Sequence, residues 1–386
     1  KMDALADTID IAVKSNDYAG VASVFSYGPS SWQSVGQGEQ RSLAALFIKT
    51  AVSAPGFLPK AFSSGQMMQV MKETLGHLPS TVEGAADNTL RQMIFDHKVN
   101  EEGDYTGAAR VLAEMRMEDE PGSVYFKTPA EKCDVYVKIA ECFLQESETV
   151  EADSAVTKAG SVVESIQNPE QHVALILRYK STYARVLDSN RKFLQAASRY
   201  HDLSQSSTDL IRSEDLLIML GRAATCAILA PSGPQRQRVL GHIYKDDRLS
   251  QLDTIAEFDT HSTILSKMYK NQVLGKEELV KFESSLQDHQ KAIMGDGLTL
   301  MERGVVEHNM IAVSKIYQSI YVSELAKVLG VSPDKAEKIA ASMIMDGSLA
   351  GSIDQVDGLV EFQSEDSATT TWDKAISGFC VELNRV

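Results

Sequence analysis

Residues Ile353 to Gly358, which read IDQVDG, place two carboxylates and an amide close to a glycine, and such a group could form an oxygen cage for a metal ion. An EF-hand loop needs oxygen ligands at its first, third and fifth positions ahead of its glycine. With Gly358 as that glycine, the first position is Ile353, which excludes an EF-hand. The alternative is a turn at Asp357-Gly358 between the strand-like segments LAGSI and LVEF. We predict a β-hairpin with Asp354 to Gly358 at its tip.

Other chemistry-bearing patterns are absent from the sequence. It has no P-loop, no GxGxxG, no HExxH and no GxSxG, and its eight histidines are never two or four residues apart. Cys226 and His242 could form a thiol–imidazole pair, but a cysteine within CAIL is more often a small buried apolar residue. We therefore predict no catalytic residues, no metal site and no cofactor.

Composition points to protein partners. Acidic residues number 53 and basic residues 38, and the formal charge of −15 repels nucleic acid and anionic membranes. The four cysteines lie far apart, which indicates neither a disulfide framework nor a zinc clip and suits a reducing compartment. No stretch of eighteen apolar residues occurs, so we expect a chain that is neither secreted nor membrane-spanning.

The elements that carry these residues are mainly helical up to about residue 300, because apolar residues recur there at helical spacing. Three similar segments begin at Asp17 (DYAGVASVF), Asp104 (DYTGAARVL) and Lys192 (KFLQAASRY). A weaker copy around Ala155 to Val162 roughly halves the second interval. A unit of about forty residues is the length of a helix pair in an α-solenoid. The alternative is a chance recurrence in amphipathic helices.

The pattern changes after residue 305. HNMIAVSKIYQSI places Val313, Ile316, Tyr317 and Ile320 on one face of a predicted helix. Ser323 can cap a second helix that Gly330 ends, and Ser332-Pro333 opens a third. The third helix has an apolar stripe formed by Ala336, Ile339, Ala340 and Met343. Three helices followed by a hairpin indicate a winged helix, so IDQVDG is its wing.

A winged helix invites a DNA-binding interpretation, but its charges argue against it. Between His308 and Phe362 the sequence has seven acidic residues and four lysines, with no arginine. A protein that reads double-stranded DNA needs cationic side chains to contact the phosphates, and it commonly uses arginine to contact base edges. DNA binding is therefore the less favoured alternative.

Two further features suggest protein contacts. After a polar linker, an apolar face on a terminal helix is formed by Trp372, Ile376, Phe379 and Leu383, which suits packing against helices of other chains, with folding back on its own chain as the alternative. Basic residues cluster between Arg178 and Lys192 and again at Arg236, Arg238, Lys245 and Arg248. Such charges are usually only solvated, but within an acidic protein they indicate a candidate basic surface for an acidic protein ligand.

The plan of a solenoid followed by a winged helix resembles the PCI-domain proteins, which are scaffold subunits of the proteasome lid, the COP-nine signalosome and a translation initiation factor. Within them the chain most resembles the subunit-four group of the signalosome, mainly over residues 190 to 362. The segments that carry the resemblance are RKFLQAASRYHDLS from Arg191, CAILAPSGPQRQRVLGHIYKDDR from Cys226, HQKAIMGDG from His289, VVEHNMIAVSKIY from Val305, AEKIAASMI from Ala336, and GSIDQVDGLVEF from Gly351. VVEHN is shared with the lid family, which remains the alternative.

The resemblance implies a non-catalytic subunit of the complex that removes the ubiquitin-like modifier NEDD from cullin-RING ligases. The implied partners are other PCI subunits, the metalloprotease subunit pair and cullin-RING ligases, in cytoplasm and nucleus. It also implies wing-edge pairing through Ile353, Asp354, Asp357 and Gly358. A candidate relay loop before the winged helix contains His289, Lys291, Gly295, Asp296 and Gly297, and its glycines suggest little packed structure.

The fold class expected is mostly α: a right-handed α-solenoid of TPR-like helical repeats, then a winged-helix (PCI) subdomain and a C-terminal helix. The expected boundaries are 1–300 for the helical repeats and the helical part of the PCI domain, 301–363 for the winged helix, and 364–386 for the linker and assembly helix.

Overall fold

The computed structural model describes residues 2–26, 31–54, 56–206, 211–293, 295, 297–363, 372, 375–377 and 379–380. The chain forms two compact units, Lys1–Val186 and Leu187–Val386. Among the described residues, no helix is long and apolar enough to cross a membrane.

The first unit is built from helices that run α1 (Met2–Ser15), α2 (Tyr18–Phe25), α3 (Gln37–Ser53), α4 (Phe57–Phe62), α5 (Gly65–Gly76), α6 (Ala86–His97), α7 (Tyr105–Ala113), α8 (Pro129–Gln145), α9 (Thr149–Val163) and most of α10 (Val173–Ser189). The second unit continues with α11 (Phe193–Ser204), α12 (Ser213–Leu229), α13 (Pro234–Tyr244), α14 (His261–Tyr269), α15 (Lys276–Ser285), α16 (Leu300–Ser314), β1 (Ser319–Tyr321), α17 (Val322–Leu329), α18 (Pro333–Met345), β2 (Gly351–Asp354) and β3 (Leu359–Phe362). The mostly helical fold class is confirmed.

One turn recurs between paired helices. Asn16, Ser147 and Arg191 each have positive φ, and the next residue donates its N–H to the carbonyl five residues back, which is the Schellman ending of a helix. Gly103 takes the same place between α6 and α7, after one turn of π-helix at Lys98–Glu102. Gly103, Ser147 and Arg191 follow one another at intervals of 44 residues, which confirms the repeat and its weaker copy.

Small residues of the repeat lie against neighbouring helices. Ala108 and Ala109 in α7 and Ala196 and Ala197 in α11 are fully buried. Asp17 and Asp104 cap α2 and α7 by accepting the N–H of Gly20 and Gly107 respectively. The repeated aromatic–Ala–Ala segment is therefore the second helix of each pair, packed through its alanine face.

The winged helix differs from its prediction at its first helix, at one cap and by an additional strand. α16 ends at Ser314, because Ile316 and Tyr317 donate their N–H groups back to Val313 O and close the helix there. Ile316 and Tyr317 are exposed, and Ile320 lies buried in a strand, so the prediction of one helical face through Ile320 is wrong. Tyr321 occupies the N-cap position of α17, so Ser323 lies in the first turn of that helix.

The remaining elements that were predicted are as expected, and one further strand completes the sheet. Pro333 opens α18, and its predicted stripe from Ala336 to Met343 is buried. Gly330 ends α17 with φ 71°. The wing is completed by β1, which the sequence interpretation missed, and the sheet order is β1-β3-β2 with both pairs antiparallel.

Candidate interaction surfaces

The wing tip uses its carboxylates to build the turn. Asp354 pairs with Leu359, and the loop between them contains four residues. Asp354 Oδ1 accepts the N–H groups of Val356 at 2.9 Å and Asp357 at 3.2 Å, while Gly358 has φ 62° and its carbonyl accepts Val322 N–H at 2.8 Å. The hairpin prediction is therefore confirmed, and Asp354 stabilises the turn by an Asx-type contact.

The outer edge of the wing is β2. Gln363 N–H donates to Ala350 O, so Ala350 and Gln363 are a hydrogen-bonded pair of the antiparallel ladder. Hydrogen-bonded and non-hydrogen-bonded pairs alternate along such a ladder. Ser352 and Asp354 therefore bond to β3, whereas the N–H and C=O groups of Gly351 and Ile353 point away from the sheet. Gly351 lies so close to β3 that a Cβ there would meet Glu361 O at 2.5 Å. The edge thus combines outward backbone groups with a strand held tightly to its neighbour.

The basic surface differs from its prediction at two of four positions. Arg236 is only 4% exposed: its Nε donates to Ala227 O at 3.1 Å and its Nη2 to Ile228 O at 2.8 Å, at the C-terminal end of α12. Burial lowers the pKa of Arg236 to about 10, so it stays charged at neutral pH. Arg236 is a buried cap of α12, and its assignment to an exposed surface is wrong.

Arg248 is half-buried and already paired. It donates to Asp246 Oδ2 at 2.6 Å and to Ser204 O at 2.6 Å, and these contacts with Arg248 hold the pKa of the Asp246 carboxyl below its usual value. Arg238 on α13 and Lys245 at the C-cap of that helix are exposed, as predicted. In the other cluster, Arg178 is paired with Glu141.

The candidate relay loop is anchored at its start. His289 and Gln290 lie in a 3₁₀ turn, Asp288–Lys291, and Gln290 is buried. The buried carboxylate of Asp188 accepts Gln290 Nε2–H at 2.9 Å and lies 3.1 Å from His289 Nε2. The expectation of little packed structure is therefore wrong for the first residues of this loop.

The rest of the loop is more open. Lys291, Gly295 and Gly297 are exposed, and Ile293 is 74% exposed although it bridges to Thr299. Asp296 lies outside the described residues. The loop therefore has a packed anchor followed by an exposed segment, a division that the sequence interpretation did not foresee because Asp188 precedes His289 by 101 residues.

The predicted terminal helix is described only in part. Trp372, Ile376 and Phe379 have helical backbone and are exposed, and Leu383 lies outside the described residues. Their exposed apolar side chains agree with a face that has no cover within the described chain, and the partner that covers it remains a prediction.

Residues of VVEHN join α16 to the helices before it. His308 Nε2 donates to Gln272 O at 2.9 Å, while Asn309 accepts Leu274 N–H at 2.9 Å and donates to Leu274 O. Burial lowers the pKa of His308 to about 4, so its imidazole is neutral. The motif therefore anchors α16 to residues 272–274 through buried hydrogen bonds.

The environment of Cys226 does not favour a nucleophilic thiol. Cys226 is fully buried in α12, and His242 is exposed on α13. Burial, and then the nearby Asp188, raises the pKa of the Cys226 thiol well above its usual value, which opposes a reactive thiolate. Within the described ranges, no group of three His, Cys, Asp or Glu residues could hold a metal ion.

Known families match both parts of the chain. A PCI domain model matches residues 286–364, and a model described as PSMD12/CSN4, N-terminal, matches residues 82–212. COP9 signalosome complex subunit 4 of Arabidopsis thaliana is 35% identical over 345 residues, which are 84% of this chain and 83% of that relative. The Dictyostelium discoideum subunit 4 is 39% identical over 67% of this chain and 62% of its own length, and the Drosophila melanogaster subunit 4 is 37% identical over 66% and 59%. With such identity to the plant relative over most of both chains, and with a PCI match over the winged helix, the chain belongs to the family of COP9 signalosome complex subunit 4.

Proposed function

We propose that this chain is a non-catalytic scaffold and substrate-engaging subunit of a COP9 signalosome. Its family supports this role, and so does the buried, high-pKa state of the one thiol that had a candidate histidine partner. The observation that carries the proposal is the open edge of β2, where Gly351 and Ile353 direct backbone groups away from the sheet.

Strand addition is the interaction that such an edge favours. Unpaired N–H and C=O groups along a strand form a template for a strand from another chain, and main-chain hydrogen bonds then supply the affinity. In this proposal the partners are other PCI subunits, whose winged helices offer the same kind of edge. The exposed side chains of Trp372, Ile376 and Phe379 would add a second contact in a bundle of terminal helices.

The test replaces one outward N–H. Ile353→Pro removes the donor that faces a partner, while the ladder to β3, which uses Ser352 and Asp354, keeps its bonds. Ile353→Ala is the matched control because it removes the same half-buried side chain and keeps the N–H. Co-expressed with the other subunits, the proline variant should lose incorporation at least about ten-fold more than the alanine variant. Equal incorporation of the two variants would exclude β2 pairing.

The reaction of the complex gives the chain its wider role. On the resemblance described above, the complex removes NEDD from cullin-RING ligases through a metalloprotease subunit pair, and this chain contributes scaffold and substrate contacts in cytoplasm and nucleus. The proposal assigns it no catalytic residue.

The exposed segment of the candidate relay loop is proposed to contact the metalloprotease subunit pair, which is called the catalytic pair below. Ile293 presents an apolar side chain to solvent, while His289 and Gln290 fix the start of the loop on Asp188. A contact made by the exposed residues would therefore be held at a defined position by the buried carboxylate.

Two alternatives are not favoured. The relatives described above are signalosome subunits rather than proteasome-lid subunits. A DNA-binding winged helix would need cations that the wing lacks. Purification through an N-terminal tag at moderate salt, followed by identification of the co-purifying subunits, would separate the signalosome from the lid.

A further inference from the structure

The exposed face of α13 forms one wall of an open groove. Arg238, His242 and Lys245 lie four and three residues apart, so they share one side of the helix. The groove has a volume of about 660 Å³ and is lined by Pro234, Gln237, Arg238, Gly241, His242, Lys245 and Tyr269. No carboxylate is present among these lining residues.

The two long cations of this groove have no ion-pair partner among the residues that the structure describes. This distinguishes Arg238 and Lys245 from Arg248, which is paired, and from Arg236, which is buried on carbonyl oxygens. In a chain with a formal charge of −15, Arg238 and Lys245 without ion-pair partners on one wall of the groove favour an anionic ligand there.

The opposite wall of the groove is formed by Tyr269, whose position is fixed by its neighbours. Gly241 has no side chain, and a Cβ there would come within 3.2 Å of the Tyr269 ring, so the glycine allows that ring to lie against α13. Tyr269 stacks on Tyr244 with ring centroids 4.6 Å apart, and Gln237 Nε2 donates to Tyr269 O at 3.0 Å. The tyrosine is therefore held in place before any ligand arrives.

We propose that this groove binds an acidic peptide segment of a partner protein. Seven residues of helical rise separate Arg238 on α13 and Lys245 at its C-cap by about 10 Å, which is about three residues of an extended polyproline II chain. Such a chain has three residues per turn, so two carboxylates three positions apart lie on the same side and can reach both cations. An apolar residue between them, rotated by about 120°, can contact Tyr269 on the opposite wall. A long polyanion such as nucleic acid is disfavoured because the formal charge of −15 on the whole chain repels its many phosphates.

The binding experiment uses the full chain and a fluorescein-labelled hexapeptide with glutamates at its second and fifth positions and leucines between them. We expect the double variant Arg238→Ala, Lys245→Ala to bind about ten-fold more weakly at low salt, because two exposed charge pairs are lost. Lys338→Ala, which removes another exposed lysine on α18, should bind like the wild type. Raising the salt concentration should weaken wild-type binding more than binding by the double variant.

A control peptide with glutamines in place of the glutamates should bind at least about ten-fold more weakly than the acidic one. Equal affinity of the two peptides, equal affinity of wild type and double variant, or tighter binding of a ten-nucleotide oligothymidine would each overturn the proposal. Assembly into the complex is measured separately, so failure here leaves the scaffold proposal to its own test.

Discussion

Arg236 caps the C-terminal end of α12 by placing its guanidinium on the carbonyl oxygens of Ala227 and Ile228. Arg236→Ala would leave these buried acceptors without donors, so we expect a loss of about 3 kcal/mol in the free energy of unfolding, measured by urea titration. Arg238→Ala, two residues away and exposed, should cost under about 0.5 kcal/mol. Similar losses for the two variants would contradict the capping role of Arg236.

Two buried imidazoles should make the fold sensitive to mild acid. Burial lowers the pKa of His261 and of His308 to about 4, below the 6.5 of an exposed histidine. Between pH 6.5 and pH 4 the unfolded chain therefore binds protons that the folded chain does not. Stability that is present above pH 6.5 should fall through this window, by up to about 3 kcal/mol for each histidine.

The variant His308→Gln checks this expectation, because glutamine can still donate to Gln272 O but does not titrate. Its urea midpoint should decline less between pH 7 and pH 4.5 than that of the wild type. An equally steep decline would assign the acid sensitivity to other groups.

Arg236 also shows what the sequence could and could not predict at this scale. Two residues along a helix are separated by about 200°, so Arg236 and Arg238 point to nearly opposite sides of one helix. The sequence alone therefore indicated that they could not share one basic surface. Asp188 carried no comparable signal, because its partners His289 and Gln290 come from a distant part of the chain.

At the scale of elements, the loop from His289 to Gly297 divides into an anchored and an exposed part. Deleting residues 289–297 would leave the buried Asp188 carboxylate without Gln290 and His289, so we expect a loss of about 2 to 3 kcal/mol. Deleting only residues 293–297 should cost under about 1 kcal/mol, because its described residues are exposed. Urea unfolding of both variants measures the difference, and equal losses would show that the anchor is unimportant.

The shorter deletion also tests the proposed relay. If the exposed part holds the catalytic pair inactive until substrate binds, its removal should raise basal cleavage of a fluorogenic modifier substrate by about two-fold or more in the assembled complex. Assembled wild-type complex at equal concentration is the control. Equal cleavage rates, or a complex that fails to assemble, would leave the chain as scaffold alone.

Helices and strands were predictable from the sequence where nearby turn and cap residues determine their ends. The hairpin at Asp354 to Gly358 and the proline-initiated α18 follow from turn and cap residues. β1 was not predictable in the same way, because Ile316, Tyr317 and Ile320 also fit helical spacing. Its strand state comes from pairing with β3, about forty residues later in the chain, which no local pattern records.

At the scale of the whole molecule, the chain divides into two compact units between Val186 and Leu187. The boundary predicted at residue 300 rests instead on a change in the spacing of apolar residues along the sequence. Helices α11 to α15 belong to the same unit as the winged helix, and the contacts of His308 and Asn309 explain part of that grouping.

The terminal segment gives the prediction at this scale. Removing residues 366–386 should leave the urea midpoint of the isolated chain unchanged within error and abolish incorporation into the complex, because the apolar side chains of Trp372, Ile376 and Phe379 are exposed. The full-length variant with these three residues changed to serine should behave in the same way. Loss of stability with retained incorporation would show that the segment packs within its own chain.

The Schellman turns that close α1 on α2, α8 on α9 and α10 on α11 make their hydrogen bonds within the turn itself, from Asp17, Glu148 and Lys192 to carbonyls five residues earlier. No turn depends on a neighbouring turn for its closure. A gene that gains or loses one period of 44 residues therefore keeps the hydrogen bonds that close the other turns, as long as the alanine faces still match. Length differences within the helical repeats of related genes should accordingly come in whole helix pairs, with breakpoints at residues equivalent to Gly103, Ser147 and Arg191.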